Sequence, residues 1–390
     1  MELSSSVSSG YTGSGILQKV KSKFLSVLNK ENPIQDHLHI GNINIPYNSG
    51  HMLMLGAPGT GKTAVLVEMI NDLDTLGKKV VIYDPKGDYV SKFYDESKDV
   101  IVNSFDKRGV SLNILDLVKS DYDARVLASI LVPETYGNEF FTELERRVLN
   151  VVIIECIESG KLTNSDFFNL LNSDELVSVI KSRIGVVDAN LDTALAFLRS
   201  MFTWAKYIGD SSFSINDWFN NSNSRFMFIT DNVKLDPDLR SVNYMFLSKL
   251  LYNYENMSDV YFILDDFKPK RSIPILSKVL EQGRVHKVSV VYSCFDIESI
   301  TDGRVSAISY SDIANFSVVA VLRPTMPHAA RSIIDAFGNF LTEDGLMSLK
   351  DLQAKVRVNN EWSSTKIMPL YIKDKVDSFI VRDDLRGLCG

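Results

Sequence analysis

The residues best suited to chemistry lie in one short stretch, Gly56-Ala57-Pro58-Gly59-Thr60-Gly61-Lys62-Thr63. It fits the phosphate-loop pattern G-x-x-x-x-G-K-[ST] at every fixed position. A triphosphate is a dense anion, and glycines allow backbone N–H groups to wrap it closely. Lys62 adds a positive charge for the β- and γ-phosphate oxygens, and the Thr63 hydroxyl is a ligand for Mg²⁺. Residues 56–63 therefore predict a site for a magnesium-bound nucleoside triphosphate.

A second group of residues supplies the carboxylate that such a site needs. Asp265 and Asp266 directly follow the apolar run VYFIL at residues 260–264. Open α/β sheets bind ligands at the carboxyl ends of their strands, so we predict Asp265 as a Mg²⁺ ligand. Asp266 is predicted as the base that polarises the attacking water, although it reaches about 1.5 Å less far than a glutamate. The alternative is a pair of acidic residues in a surface loop.

Two other charged residues have both a functional and a structural interpretation. Asp84 ends another apolar run, and it is predicted either to touch the nucleotide or to form the turn before Pro85. Arg284 follows Gly283 at the end of a predicted helix. It could reach the γ-phosphate of a neighbouring subunit, as arginine fingers do, or it could interact with the dipole of its own helix.

The elements around these residues predict an α/β fold. A strand, the loop, a helix and a second strand follow one another in about 35 residues, which indicates a βαβ unit and a parallel sheet. Strands and helices alternate again from residue 226 onwards, as in a doubly wound sheet. Short apolar runs at residues 356–358 and 367–372 are predicted as edge strands.

The part of the chain between these two halves has a different pattern. Residues 118–207 read as helices throughout, with no convincing strand. We therefore predict an all-α domain at 118–207, inserted into a nucleotide-binding domain that comprises 37–117 and 208–390. The 390-residue chain is long enough for two or three domains.

The remaining features concern the surroundings in which the protein acts. Residues 1–15 are rich in Ser and Gly and are predicted to be disordered, and residues 16–30 predict a short basic amphipathic helix. That helix packs on the domain or, alternatively, contacts a membrane surface or a partner. No apolar run approaches the ~18–20 residues of a membrane span. Three scattered cysteines (Cys156, Cys294, Cys389) are typical of reduced thiols in the cytoplasm.

The net charge of −7 argues against an extended nucleic-acid surface, but a local basic channel is compatible with it.

The ordered set of segments resembles the type IV secretion coupling proteins, the TraD/TrwB group of conjugative DNA-transfer ATPases. These belong to the FtsK–HerA division of RecA-like motors. The segments that carry the resemblance cover roughly residues 38 to 375 and read, in order, HIGNINIP, LMLGAPGTGKT, VVIYDPKGDYVSKFYD, IVNSFDKRGVSLNIL, FSINDWF, FMFIT, ILDDF, EQGR, MSLKDLQAKVRV and IMPLYI. The most distinctive of these features are the turn at residues 84–88 and the position of the helical insert.

The resemblance implies a RecA-like P-loop NTPase with an inserted all-α domain, ATP and Mg²⁺ as cofactors, and DNA transport through a hexameric ring. It implies single-stranded DNA attached to a relaxase-type protein as cargo and a secretion or transfer apparatus as partner. It also implies an inter-subunit role for Arg284. The expected location is the cytoplasm, with peripheral contact to the inner membrane through residues 16–30 as an alternative.

The sequence departs from the family pattern at three points. The family usually has two N-terminal membrane spans, which this sequence does not show, and Asp-Glu where Asp265-Asp266 stands. Phe295 occupies the place of a glutamine that senses the γ-phosphate, and an aromatic ring cannot make that hydrogen bond. Two other functions therefore stay open beside a DNA translocase. One is a nucleotide-binding scaffold or switch with impaired hydrolysis, and the other is a packaging ATPase of a virus or mobile element.

Overall fold

The structure is a computed structural model, and it describes residues 37–116, 118–132, 138–185, 188–202, 208–210, 213–230, 240–267, 273–301, 307–338 and 340–385. The predicted disordered tail and amphipathic helix at residues 1–36 lie outside these ranges, as does Cys389.

The strands alternate with helices along most of the chain. The strands are β1 (His37–Ile40), β2 (Ile43–Pro46), β3 (His51–Leu55), β4 (Lys79–Asp84), β5 (Val100–Val102), β6 (Phe226–Thr230), β7 (Val260–Asp265), β8 (Val288–Cys294), β9 (Phe316–Leu322), β10 (Gln353–Val358) and β11 (Glu361–Lys366). The helices are α1 (Lys62–Thr75), α2 (Asp88–Phe93), α3 (Asp121–Leu131), α4 (Glu139–Glu158), α5 (Asn164–Leu171), α6 (Glu175–Ile184), α7 (Asp188–Met201), α8 (Ile215–Asn220), α9 (Arg240–Tyr252), α10 (Pro274–Gln282), α11 (Glu298–Thr301), α12 (Pro327–Phe337) and α13 (Glu343–Met347).

Nine strands form one sheet in the order β11-β10-β9-β3-β8-β7-β4-β6-β5. All neighbours from β9 to β5 are parallel, and β10 and β11 are antiparallel additions at one edge. Helices cover both faces of a parallel sheet, so its strands are apolar along their length. In β3, Leu53 and Leu55 belong to the core on one face, and Met52 and Met54 to the core on the other. The predicted α/β fold with a mostly parallel sheet is confirmed.

Of the two predicted edge strands, residues 356–358 lie in a strand, β10, which is not at the edge, and the prediction for residues 367–372 is wrong. Residues 367–372 form no strand, because Pro369 cannot donate to a ladder and the side chains of Met368 and Tyr371 are 75% and 87% exposed. The edge strand is β11, a polar segment, and β10 pairs on both sides. Asn359 and Asn360, with φ of 49° and 68°, make the tight turn between them.

Helices α3 to α7 enclose a hydrophobic core of their own between residues 114 and 208, and the described residues from 118 to 207 include no strand. Asn164 ties the start and end of this segment together. Its amide donates to the carbonyls of Leu112 and Gly209, and its Oδ1 accepts the N–H of Ile114. The boundaries of the two domains stay a prediction. None of the described helices has the length and apolarity to cross a bilayer.

Candidate functional site

The predicted phosphate loop connects the end of β3 with the start of α1. Gly59 and Gly61 have φ of 77° and 117°, a region that side chains strongly disfavour. A Cβ on Gly61 would also lie 2.9 Å from Leu352 Cδ2. The loop is fixed from outside, because Ala57 N donates to Arg323 O and Leu352 N donates to Thr60 O, both at 2.9 Å. These contacts hold open a concave backbone at the amino end of a helix, which suits an anion.

Lys62 is buried and points back into this loop. Its Nζ donates to the carbonyls of Gly56 at 2.7 Å and Ala57 at 3.1 Å. The same ammonium lies 5.0 Å from the centre of the Phe295 ring. Thr63 follows in the first turn of α1 with an exposed side chain. The lysine therefore lies where it could turn toward a phosphate, and the aromatic ring directly after β8 is one of its neighbours.

Asp265 lies at the same edge of the sheet. It ends β7 and stands opposite Ser293 of β8, the strand that separates β7 from β3. Two strand spacings place its backbone about 10 Å from the start of the phosphate loop. Burial raises the pKa of Asp265, and a hydrogen bond from Tyr89 and the charge of Lys62 oppose this rise. Lys62 is thus close enough to act electrostatically on the predicted metal ligand.

Asp266 has an unusual environment for an acidic residue. Its φ is 47°, and its N–H donates to Ser293 O at 3.1 Å. Its Oδ1 is buried and has no hydrogen-bond partner in the described part of the chain. A buried polar atom is normally satisfied, so this oxygen is suited to a water or an ion that joins the site. The glycine cradle, Asp265 and this oxygen together fit Mg²⁺ with a triphosphate.

Asp84 has a structural position. It is buried, and its carboxylate accepts the N–H groups of Asp88, Tyr89 and Val90 at 3.0, 2.8 and 2.9 Å. Burial raises the pKa of Asp84 to about 7, against the opposing effect of these three hydrogen bonds. The carboxylate thereby fixes the first turn of α2 to the end of β4. This arrangement favours the turn interpretation over contact with the nucleotide.

Tyr89 is the residue that the sequence reasoning missed. Its hydroxyl donates to Asp265 Oδ2 at 2.7 Å from a fully buried position. A signal was present, since Tyr89 directly follows the polar turn at residues 84–88, a distinctive part of the family resemblance. Its partner across the sheet could not be inferred from a pattern that is local in the chain.

Arg284 is not brought to the phosphate loop of its own chain. It precedes β8, and its Nη2 donates to Asn315 O at 3.0 Å beside Gly50. These residues lie at the amino edge of the sheet, about 20 Å from the phosphate-loop edge for a strand of this length. The side chain is exposed. The other predicted residues, from Gly56 to Thr63 with Asp265 and Asp266, come together at the carboxyl edge; their roles stay predictions.

Comparison with known proteins adds to this geometry. Residues 37–366 match a family described as type IV secretion-system coupling protein DNA-binding domain. The chain is 26% identical over 295 residues to the coupling protein TraD of Escherichia coli (strain K12). The aligned region covers 67% of this chain and 40% of that protein. The chain thus spans less than half the length of this relative.

Solved structures show the same architecture. The plasmid coupling protein TrwB, in complex with a non-hydrolysable ATP analogue, superposes with a TM-score of 0.78 at 20% identity and covers 92% of this chain and 95% of that one. VirB4 of Thermoanaerobacter pseudethanolicus matches with a TM-score of 0.59 at 14% identity and covers 82% and 89% of the two chains. The predicted RecA-like P-loop NTPase fold is confirmed.

Proposed function

Since residues 37–366 match its DNA-binding domain, this chain belongs to the type IV secretion-system coupling protein family, and we propose that it binds ATP with Mg²⁺ and hydrolyses the nucleotide to move DNA. The observation that carries the proposal is the convergence of Lys62 and Asp265 at the carboxyl edge of the sheet, beside a glycine cradle. TrwB, which shares the fold, has been solved with ADP and Mg²⁺ and with an ATP analogue.

Each side chain has a defined task in this proposal. The loop at residues 56–63 binds the phosphates through backbone N–H groups such as those of Gly59 and Gly61, and Lys62 leaves the carbonyls of Gly56 and Ala57 to reach the β- and γ-phosphate oxygens. Thr63 and Asp265 would hold Mg²⁺, which would supply positive charge to neutralise those oxygens. Asp266 orients the attacking water and accepts its proton. Arg284 acts on the nucleotide of a neighbouring subunit in a homo-hexameric ring.

The proposed partners follow from the family. They are single-stranded DNA attached to a relaxase-type protein and a secretion or transfer apparatus, and the proposed site of action is the cytoplasm. The alternative to a purely cytoplasmic location is peripheral contact with the inner membrane through residues 16–30.

A second candidate function is a nucleotide-dependent scaffold or switch with little hydrolysis. The observation that favours it is the Phe295 ring beside Lys62, where the family has a glutamine. Asp266 also favours a function with little hydrolysis, because its side chain reaches less far than the glutamate of the family. Both functions predict ATP binding, and they differ in turnover.

Steady-state ATP hydrolysis, measured with and without single-stranded DNA, tests the proposal. We expect slow basal turnover that rises with DNA, and a fall of roughly a hundredfold or more in Lys62→Ala, since the lost charge acts on the transition state. Lys181→Ala, which removes a half-exposed lysine in the helical segment, is the matched control and should behave as wild type.

Three results would decide between the functions. Equal turnover of wild type and Lys62→Ala, without any response to DNA, rejects the motor. Nucleotide binding that is lost in Lys62→Ala, with no turnover in either protein, supports the switch. DNA-stimulated hydrolysis that depends on Lys62 supports the translocase.

A further inference from the structure

Tyr89 connects two acidic residues that end neighbouring strands of the sheet. Asp84 ends β4 and Asp265 ends β7, and the two strands pair directly, with Tyr83 opposite Leu264. The Tyr89 N–H donates to Asp84 Oδ2 at 2.8 Å, and its hydroxyl donates to Asp265 Oδ2 at 2.7 Å. One residue thus binds both carboxylates, one through its backbone and the other through its side chain.

The position of the Tyr89 hydroxyl is firmly determined. Asp84 accepts three consecutive N–H groups at the start of α2, so the backbone of Tyr89 cannot shift without the loss of a buried hydrogen bond. The ring has no exposed surface and packs in the core that also contains Ile82 and Ile263. A tyrosine side chain has only two rotatable bonds before its hydroxyl, so little freedom is left.

Asp265 needs such a constraint. A carboxylate at the end of a strand can rotate about two side-chain bonds, and a metal ligand with the wrong rotamer binds weakly. Tyr89 donates to Oδ2, so Oδ1 is the oxygen that we assign to a water or a metal. The Tyr89 hydroxyl also has its donor committed to the carboxylate, so it stabilises the ionised form that a metal requires. The hydroxyl of Ser293 also favours the ionised carboxylate.

We propose that Tyr89 is a positioning residue that holds Asp265 in the rotamer required to bind Mg²⁺, with Asp84 fixing Tyr89 through the first turn of α2. This inference rests on the proposed function, because it assumes that Asp265 serves a magnesium-bound nucleotide. It assigns no contact between Tyr89 and the nucleotide itself. Its signature is therefore a changed Mg²⁺ requirement with an unchanged affinity for metal-free nucleotide.

The test uses the whole chain and a fluorescent ADP analogue, so that no hydrolysis is involved. Nucleotide binding is measured first in EDTA and then as a function of MgCl₂. For Tyr89→Phe, which removes only the hydroxyl, we expect the Mg²⁺ midpoint to rise roughly tenfold, as for other residues that orient a metal ligand. The affinity in EDTA should match that of wild type.

The matched control is Tyr261→Phe. Tyr261 is a buried tyrosine of the same core, and its hydroxyl lies near Asp259 at the other end of β7. Tyr261→Phe should leave the Mg²⁺ midpoint unchanged. Melting temperatures of both variants check that each remains folded, and Asp265→Asn provides the reference for loss of the ligand itself. The double variant Tyr89→Phe/Asp265→Asn should equal Asp265→Asn, since both changes act through one carboxylate.

The outcomes distinguish a failure of the role of Tyr89 from a failure of the assignment of Asp265 to Mg²⁺. If Asp265→Asn raises the midpoint and Tyr89→Phe behaves as Tyr261→Phe, the inference is wrong and the proposed site stands. If Asp265→Asn leaves the midpoint unchanged, the assignment of Asp265 to Mg²⁺ fails, and the inference fails with it. Equal losses of affinity in EDTA and in Mg²⁺ for Tyr89→Phe would indicate general damage to the site and would also overturn the inference.

Discussion

At the scale of single residues, the phosphate loop holds its lysine in a specific arrangement. The Lys62 ammonium donates to two backbone carbonyls and faces the Phe295 ring. Because the ammonium is buried and the ring is half-buried, this cation–π attraction is worth about 1–2 kcal/mol. In the proposed function, Lys62 gives up this contact when it turns toward a phosphate. Phe295 therefore competes with the nucleotide for Lys62, in addition to lacking the amide of a glutamine.

This competition predicts the effect of Phe295→Leu. The leucine keeps apolar volume but removes the ring, so the resting position of Lys62 loses its cation–π attraction. We expect nucleotide affinity to increase about five- to thirtyfold, the equivalent of that energy. Phe168→Leu, a half-buried phenylalanine of α5, is the control and should bind as wild type. Isothermal titration with ADP and Mg²⁺ measures both, and weaker binding by Phe295→Leu would contradict the competition.

His51 gives the protein a predictable response to acid. It is fully buried, and its Nδ1 accepts the N–H of Val290 at 3.0 Å, which requires a neutral ring. Burial, aided by the charge of Arg284, lowers the pKa of His51 to about 4. The unfolded chain binds this proton near pH 6.5 and the folded chain only near pH 4. The stability that depends on the neutral ring is therefore present above pH 6.5 and is lost as the pH falls toward 4.

The predicted size of this loss is about 3 kcal/mol, since each pKa unit corresponds to about 1.4 kcal/mol. His51→Gln keeps a hydrogen-bond acceptor but cannot be protonated. Between pH 6.5 and 4.5 it should lose clearly less free energy of unfolding than wild type, as measured by urea denaturation at several pH values. His328→Gln changes a 70%-exposed histidine and should follow the wild-type curve. Parallel curves for all three proteins would exclude His51 as the source.

At the scale of elements, α2 connects the site to the C-terminal segment. Its inner side carries Tyr89, which binds Asp265, and its outer side carries Ser91, whose carbonyl accepts the N–H of Lys375 at 2.7 Å. Asp374 also accepts hydrogen bonds from Ser91 and Lys92. The chain then passes so close to Gly87 that a Cβ there would lie 2.5 Å from the carbonyl oxygen of Ser378. The C-terminal segment thus clamps the turn before α2.

Gly87→Ala is predicted to disturb this clamp. The φ of 74° is unfavourable for alanine, and the added methyl group meets the backbone of residue 378. Gly160 has a similar φ of 70° but open space around it, so Gly160→Ala reports the backbone strain alone. We expect a cost of about 1–2 kcal/mol for Gly160→Ala and roughly 1–3 kcal/mol more for Gly87→Ala.

Limited proteolysis gives a local measurement of the same prediction. Gly87→Ala should release the segment after residue 373 to protease faster than wild type or Gly160→Ala. Equal cleavage rates in all three proteins would show that the clamp does not depend on the absence of a side chain at position 87.

Some of the strands and contacts could be predicted from the sequence alone, and others could not. The strands β3, β7 and β8 were predictable, because a strand buried on both faces is apolar along its length. The strand β11 was not, because an edge strand facing water reads as a polar loop. Met368, Leu370 and Tyr371, which made the segment after it look like a strand, are exposed. The phosphate loop and Asp265 follow from local patterns. The contact between Tyr89 and Asp265 joins residues 176 positions apart, and it depends on strand order, which no local pattern encodes.

At the scale of the whole molecule, the predicted site residues divide between two opposite edges of one sheet. Lys62 and Asp265 lie at the carboxyl edge, whereas Arg284 lies at the amino edge, about 20 Å away along β8. An arginine side chain spans far less than this distance. Within one chain Arg284 therefore cannot reach the phosphates, and any action on a nucleotide requires a second copy whose amino edge faces this cleft. Heterologous contacts of this kind form a ring where the rotation between copies closes and an open filament where it does not.

A mixing experiment tests this arrangement directly. Lys62→Ala keeps a functional Arg284, and Arg284→Ala keeps a functional Lys62, so each variant alone lacks one half of every site. If the halves come from different subunits, mixed assemblies contain complete sites wherever an Arg284→Ala subunit is followed by a Lys62→Ala neighbour. Random mixing at equal amounts should restore up to roughly a quarter of the sites. Hydrolysis by the mixture should then clearly exceed the sum of the two variants.

The control is a mixture of two single variants, Lys62→Ala and Asp265→Asn. Lys62 and Asp265 lie at the same edge of one chain, so no exchange of subunits can rebuild a site from these two variants, and the mixture should stay inactive. Recovery with Arg284→Ala but not with Asp265→Asn would place Arg284 in the neighbour's site. If neither mixture recovers although size-exclusion chromatography shows mixed assemblies, Arg284 has no role across the interface, and its hydrogen bond to Asn315 is its function.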